Sequence, residues 1–170
     1  MTPDQARLKG RNHRKSLSPA LRAWANRCIQ QHLQHLSGRI GTYWALPEEA
    51  DPGRRPGQYL PVINGSSLEF RHYRSDADCE PGALNIPIPR EGETLQAQSL
   101  DWVLVPLTAF DSTGQRVGMG GGFYDQTLGQ VARRRRIGIA YQGQQVSRIQ
   151  SEDWDLPLGA VVTPRGWMRF

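Results

Sequence analysis

Residues 101–128 read DWVLVPLTAFDSTGQRVGMGGGFYDQTL. Residues 101–110 form the most apolar run of the chain and are long enough for a central strand. A turn-rich segment then leads into a run where Gly118, Gly120, Gly121 and Gly122 crowd together ahead of Phe123, Tyr124 and Asp125. Glycines cost chain entropy on folding and contribute no side-chain packing, so the cluster needs a reason. A tight turn is the plain one. The other is an anion held by backbone N–H groups, favoured further if a helix starts there. FYDQTLGQVA (residues 123–132) is expected to be that helix, which makes the local order strand, glycine loop, helix. No Gly-Lys-Ser/Thr follows, which excludes a Walker A loop, and the dinucleotide-binding glycine pattern belongs near the first strand of a longer unit.

Working outward, the alternation continues. Ser18-Pro19 reads as an N-cap followed by proline at the first helical position, and a helix is expected over 19–36. Leu21, Trp24, Cys28, Leu33 and Leu36 follow helical spacing and are assigned to its core face. RIGTYWALP, YLPVI, SLEFRHY, RRRRIGIAY and LGAVVT supply further short strands, while PEEADPGRRPGQ is loop and PGALNIPIPREGE an extended, proline-punctuated segment. The segment before Ser18 is polar and basic, with charge around much of any helix it forms. The expected fold is α/β: one three-layer domain over residues 1–170, with a mostly parallel central sheet, helices on both faces and ligands at the carboxyl ends of the strands.

The chain of 170 residues carries 21 Lys+Arg against 16 Asp+Glu, and Lys9 and Lys15 are its only lysines. Such an arginine excess fits an anionic ligand, since the guanidinium grips phosphates and carboxylates with two parallel bonds, and equally fits a compositional bias toward Arg. Cys28 and Cys79 lie too far apart in sequence to suggest a metal site or a disulfide framework, pointing to the cytoplasm. No run resembles a signal sequence or approaches the roughly 18 apolar residues of a membrane span. A nucleic-acid partner, suggested by the basic N-terminus and Arg133 to Arg136, is weaker, because the aromatic residues form no evident stacking motif.

Residues 104–128 resemble the signature of the 5-formyltetrahydrofolate cyclo-ligase family, also called methenyltetrahydrofolate synthetases. In it, a proline-containing strand leads into Phe-Asp-x-x-Gly-x-Arg-φ-Gly-x-Gly-x-Gly-aromatic-Tyr-Asp. Phe110, Asp111, Gly114, Arg116, Gly118, Gly120, Gly122, Phe123, Tyr124 and Asp125 fill those positions. ALPEEAD, YLPVI, NIPIP and WDLPLGAVVT follow in the family's order.

The resemblance implies cyclisation of 5-formyltetrahydrofolate to 5,10-methenyltetrahydrofolate with ATP and Mg²⁺, releasing ADP and phosphate. The formyl oxygen is phosphorylated, and the folate's own N10 then attacks the activated carbon. It also implies roles. Arg116 and Tyr124 are catalytic. Arg7, Gly118, Met119, Gly120, Gly121, Gly122, Phe123, Tyr124 and Asp125 bind ATP. Glu49 and Tyr124 bind the folate, and Asp125 and Asp155 hold the metal. A monomer or weak homodimer is expected.

Four departures accompany the match. Pro3 stands where the family places a lysine, and Ile88 where many members carry Glu. Gly159 replaces the usual acid. The crossover helix after Glu49 is reduced to ADPGRRPGQ, which leaves a sheet face for a partner chain or other elements to cover. A nucleotide-binding relative without cyclo-ligase activity is the alternative.

Overall fold

Helix α1 (Pro3–Ser16) forms despite its charge because its start is well capped. Thr2 Oγ1 accepts from the Gln5 amide at 3.2 Å, while the Gln5 side chain accepts from the Thr2 amide at 3.0 Å. The computed structural model, which describes residues 1–170, lays this helix against the loop at Thr108 and Ala109. Gly10 permits the contact: a Cβ there would lie 2.0 Å from the Thr108 carbonyl oxygen.

Helix α2 (Pro19–Leu33) begins at the expected cap, with Ser18 Oγ accepting from the Leu21 amide at 3.2 Å, and ends three residues before the expected 36. Its buried stripe is Ala25, Ile29 and Leu33, whereas Leu21 and Trp24 are 46% and 50% exposed. The expected core face is therefore rotated by about one residue, or roughly 100°. Small Ala25 lets the helix approach the sheet, so Ile29 and Leu33 pack with Ile40, Leu104, Ile137 and Val162.

The main sheet has eight strands: β1 (Ile40–Gly41), β2 (Tyr59–Asn64), β3 (Ser67–His72), β6 (Thr94–Gln96), β7 (Trp102–Pro106), β10 (Arg136–Ile139), β11 (Ala160–Thr163) and β12 (Gly166–Arg169). Two small hairpins complete the set, β4 (Cys79–Pro81) with β5 (Pro87–Pro89) and β8 (Ala109–Phe110) with β9 (Arg116–Val117). The order is β12-β11-β10-β7-β1-β2-β3-β6; β11, β10, β7, β1 and β2 run parallel, and antiparallel strands flank them. RIGTYWALP contributes only its first residues as strand, because Tyr43 onward turns away over the carboxyl edge. The chain leaves β1 toward β2 on one side and later runs from β7 to β10 and β11 on the other. A crevice therefore opens between β1 and β7 at their carboxyl ends, where such folds place ligands.

Helix α3 (Phe123–Leu128) lies on the opposite face from α2, so helices flank both faces as expected. It is shorter than the predicted 123–132, ending at Gly129. Thr127 ties it down: its hydroxyl donates to the Phe123 carbonyl at 2.6 Å and accepts from the Leu68 amide of β3 at 2.9 Å.

The short connection after Glu49 is held by the chain's own residues, although it has no helix. Thr42 Oγ1 donates to the Gly53 carbonyl at 2.9 Å, and the Asn26 side-chain oxygen accepts from the Asp51 amide at 3.1 Å. Arg54 lies 3.5 Å from the centre of the Trp44 ring and makes two 2.9 Å bonds to Asp76. Pro52 and Leu60 are buried without any partner chain.

Candidate active site

The glycine run forms the floor of a cleft of about 700 Å³ at the carboxyl edge of the sheet. Gly120 (φ +104°) and Gly122 (φ +75°) occupy the left-handed region, and neither would meet another atom within 4 Å if given a Cβ. The requirement at these two positions is thus conformational, not spatial. No N–H group of residues 118–122 donates to a protein acceptor, while the Gly118 carbonyl is fixed by Arg7 Nε at 2.9 Å. With only six residues, α3 adds little dipole, so donors toward an anion come from the loop backbone itself.

Arg116, at the foot of this loop, has a side chain only 5% exposed. Its Nη2 donates to Asp125 Oδ1 at 2.5 Å, and its Nε has no partner. The Tyr124 hydroxyl is buried and also unpartnered. Burial first, then the negative charge of Glu49, push its pKa well above the ordinary tyrosine value, while Arg116 pulls the other way. Buried polar atoms left unpaired in this way are costly unless a ligand completes them.

Glu49 lines the same cleft. One carboxylate oxygen, Oε2, accepts from the Leu46 amide at 2.9 Å, and its main-chain carbonyl accepts from the Tyr141 hydroxyl at 3.0 Å. Burial raises its pKa; the Leu46 amide and the Arg14 charge lower it, and Asp51 raises it again. Tyr43, whose hydroxyl donates to the Ala50 carbonyl at 2.5 Å, packs into the same corner.

Every residue expected at a site lines this one cleft: Arg7, Glu49, Arg116, Gly118, Met119, Gly120, Gly121, Gly122, Phe123, Tyr124, Asp125 and Asp155. Asp125 and Asp155 are both exposed; Asp155 Oδ2 accepts from the Glu152 amide at 2.8 Å. Sequence reasoning missed the apolar wall opposite the loop, formed by Val62, Ile63, Leu84, Ile86 and Ile88. Its only sequence signal was Ile88 in a position where the family often carries Glu.

If residues 118–122 hold ATP phosphates, as the resemblance implies, Gly120→Val should weaken ATP binding by about 10-fold or more, because a β-branched residue is strained at this φ. Folate binding should stay unchanged, since the open space around the Cβ position spares the core. Separate calorimetric titrations check this, and parallel weakening of both ligands would refute it.

The fold and cleft define an α/β protein that gathers unpaired loop N–H groups and a buried arginine beside a buried carboxylate. Residues 53–164 match the model of the 5-formyltetrahydrofolate cyclo-ligase family. A 5-formyltetrahydrofolate cyclo-ligase of Haemophilus influenzae is 32% identical over 174 residues, covering 91% of this chain and 93% of that one. The Escherichia coli K12 cyclo-ligase is 41% identical over 113 residues, so the chain matches 62% of that relative's length. Among solved structures, the Aquifex aeolicus 5,10-methenyltetrahydrofolate synthetase superposes with a TM-score of 0.83 at 27% identity, covering 98% of this chain and 92% of that one. The chain belongs to the 5-formyltetrahydrofolate cyclo-ligase family.

Proposed function

We propose that residues 1–170 act as one catalytic unit, a cytoplasmic 5-formyltetrahydrofolate cyclo-ligase that uses ATP and Mg²⁺ to form 5,10-methenyltetrahydrofolate. The observation that carries the reading is the placement of unpaired loop N–H groups, Arg116 and Tyr124 in one cleft with buried Glu49. No helix of the chain is long and apolar enough to cross a membrane.

The formyl oxygen is a poor leaving group until it carries phosphate. Residues 118–122 hold the nucleotide phosphates through their N–H groups, and Arg116 neutralises charge on the phosphoryl group during transfer. Glu49 accepts from the paired N–H donors at the pterin edge, which fixes the folate in register, and the Val62 to Ile88 wall covers its apolar body. Tyr124 stands between Glu49 and Arg116, where its hydroxyl is free to donate to the formyl oxygen. N10 then attacks the formyl carbon, the C–O bond to the phosphorylated oxygen breaks and phosphate leaves. No protein nucleophile is needed.

Asp125 and Asp155 both line the cleft and each has one carboxylate oxygen free of protein hydrogen bonds, which suits a hard cation that takes one or two carboxylates and otherwise keeps water and phosphate oxygens. Bound there, Mg²⁺ would offset phosphate charge. Asp125→Asn should raise the magnesium concentration needed for half-maximal rate and lower activity, with the fold intact because the carboxylate is exposed. A magnesium titration at saturating ATP and folate checks this; superimposable curves for mutant and wild type would remove the metal role.

The reading as a whole is tested by mixing the protein with 5-formyltetrahydrofolate and Mg-ATP and following methenyltetrahydrofolate absorbance. Pro3, at the family's lysine position, favours the second reading, a nucleotide-binding relative that does not cyclise. ATP binding with no rise in absorbance would select it.

A further inference from the structure

Arg14 sits on the inner side of α1 with only 3% of its surface exposed. Its Nη2 lies 3.3 Å from Met119 Sδ, and its Nε and Nη1 have no partner. Thr108 Oγ1 points at the same sulfur from 3.5 Å. A thioether is a weak acceptor, so a buried guanidinium is left here with nothing that matches its charge.

The surroundings do not supply a match. Glu49 is close enough for its carboxyl to feel the Arg14 charge, yet the two form no ion pair. The Arg14 carbonyl is gripped by Arg22 Nη2 at 2.6 Å, and Arg22 Nη1 reaches the Pro47 carbonyl at 3.1 Å, so this end of the helix is firmly placed. Met119, which meets the guanidinium through its sulfur, also lines the cleft, is 47% exposed and belongs to the loop whose N–H groups are unpaired. Met has three rotatable side-chain bonds and moves aside readily.

We propose that Arg14 is a second phosphoryl-binding cation, covered by Met119 in the free protein and paired with anionic phosphoryl oxygens of the nucleotide when Met119 turns away. The assignment rests on the reading of the glycine loop as the ATP phosphate site. It gives the cleft a second cation, carried by α1, in addition to Arg116. Two guanidiniums then share the charge of the group in transfer.

The test compares wild type, Arg14→Met and Arg14→Lys by calorimetric titration with Mg-ATP and separately with 5-formyltetrahydrofolate, alongside thermal melting of the free proteins. Arg14→Met removes an unpaired buried charge at similar volume, so its melting temperature should equal or exceed that of the wild type. Its ATP affinity should fall by about 10²-fold while folate affinity is unchanged, and Arg14→Lys, which keeps the charge but loses the fork, should fall between. A purely structural Arg14 gives the reverse pattern, a lower melting temperature with unchanged ATP affinity, and overturns the proposal. So does weakened folate binding with ATP intact, which would assign Arg14 to a pterin oxygen. Failure of Arg14→Met to fold, with Arg14→Lys binding ATP like the wild type, overturns it as well. Absence of ATP binding by the wild type removes the phosphate-site reading and this inference together, whereas an unaffected Arg14→Met beside a binding wild type removes the inference alone.

Discussion

On the proposed mechanism, Arg116→Ala is expected to lower turnover by about 10²-fold or more, the size of loss seen when one preorganised charge-stabilising contact is deleted. The effect should fall on kcat, because in that mechanism the guanidinium acts on charge that develops only as the phosphoryl group moves. The side chain is already in place: buried, anchored through Asp125 and with Nε unspent. Stability should change little, since its partner Asp125 is 68% exposed and an ion pair to such a group contributes little. Arg116→Lys should recover only part of the rate, because an ammonium cannot hold Asp125 and an oxygen in one plane. Steady-state kinetics with melting curves check this; an unchanged kcat in a folded Arg116→Ala would return the residue to an ordinary buried ion pair.

If Glu49 holds the pterin edge as proposed, Glu49→Gln should raise the folate KM by about 10- to 100-fold, the cost of exchanging a charged acceptor for a neutral amide that presents a donor to that edge. The ATP KM should move far less, because the hydrogen bonds of Glu49 go to Leu46 and Tyr141 and none goes to the glycine loop. A pH signature separates this from general damage. Burial holds the Glu49 pKa above its ordinary value, so the free folded protein keeps this proton more tightly than the unfolded chain does. The stability contribution is therefore fully present below the ordinary carboxyl pKa and is lost as pH rises through the elevated folded value. Folate binding runs oppositely, since it needs the carboxylate: the wild-type KM should fall as pH rises through that same value. In Glu49→Gln both dependences should flatten. A mutant that keeps the wild-type pH profile of KM would place the titrating group elsewhere.

The signature residues were legible because they are close in the chain. Arg116, the glycines, Tyr124 and Asp125 lie within ten positions, and the φ values at Gly120 and Gly122 are ones that only glycine adopts cheaply, so composition alone exposes the need for an unusual backbone. The helix starts at Ser18-Pro19 and the central strand were legible for similar local reasons. Glu49 and Asp155 were reachable only through family resemblance, since a carboxylate in a loop has no local mark of a site.

Other features depend on contacts between distant segments. In α2, the stripe through Leu21, Trp24 and Cys28 and the stripe through Ala25, Ile29 and Leu33 are both apolar. Periodicity cannot choose between them; the sheet does, by admitting the side with the smaller residue at the close approach. Leu84 and its neighbours become a wall of the cleft only because β4 and β5 fold back beside β2 and β3. Arg14 reads in the sequence as one more arginine of a basic helix. It is buried because Gly10 lets α1 settle on Thr108 and because Met119, more than a hundred residues later, closes over it. The chain by itself determines where the backbone must bend and which groups are available for chemistry. Tertiary packing decides which of those groups lose water, because desolvation is set by whatever segments arrive from elsewhere in the chain.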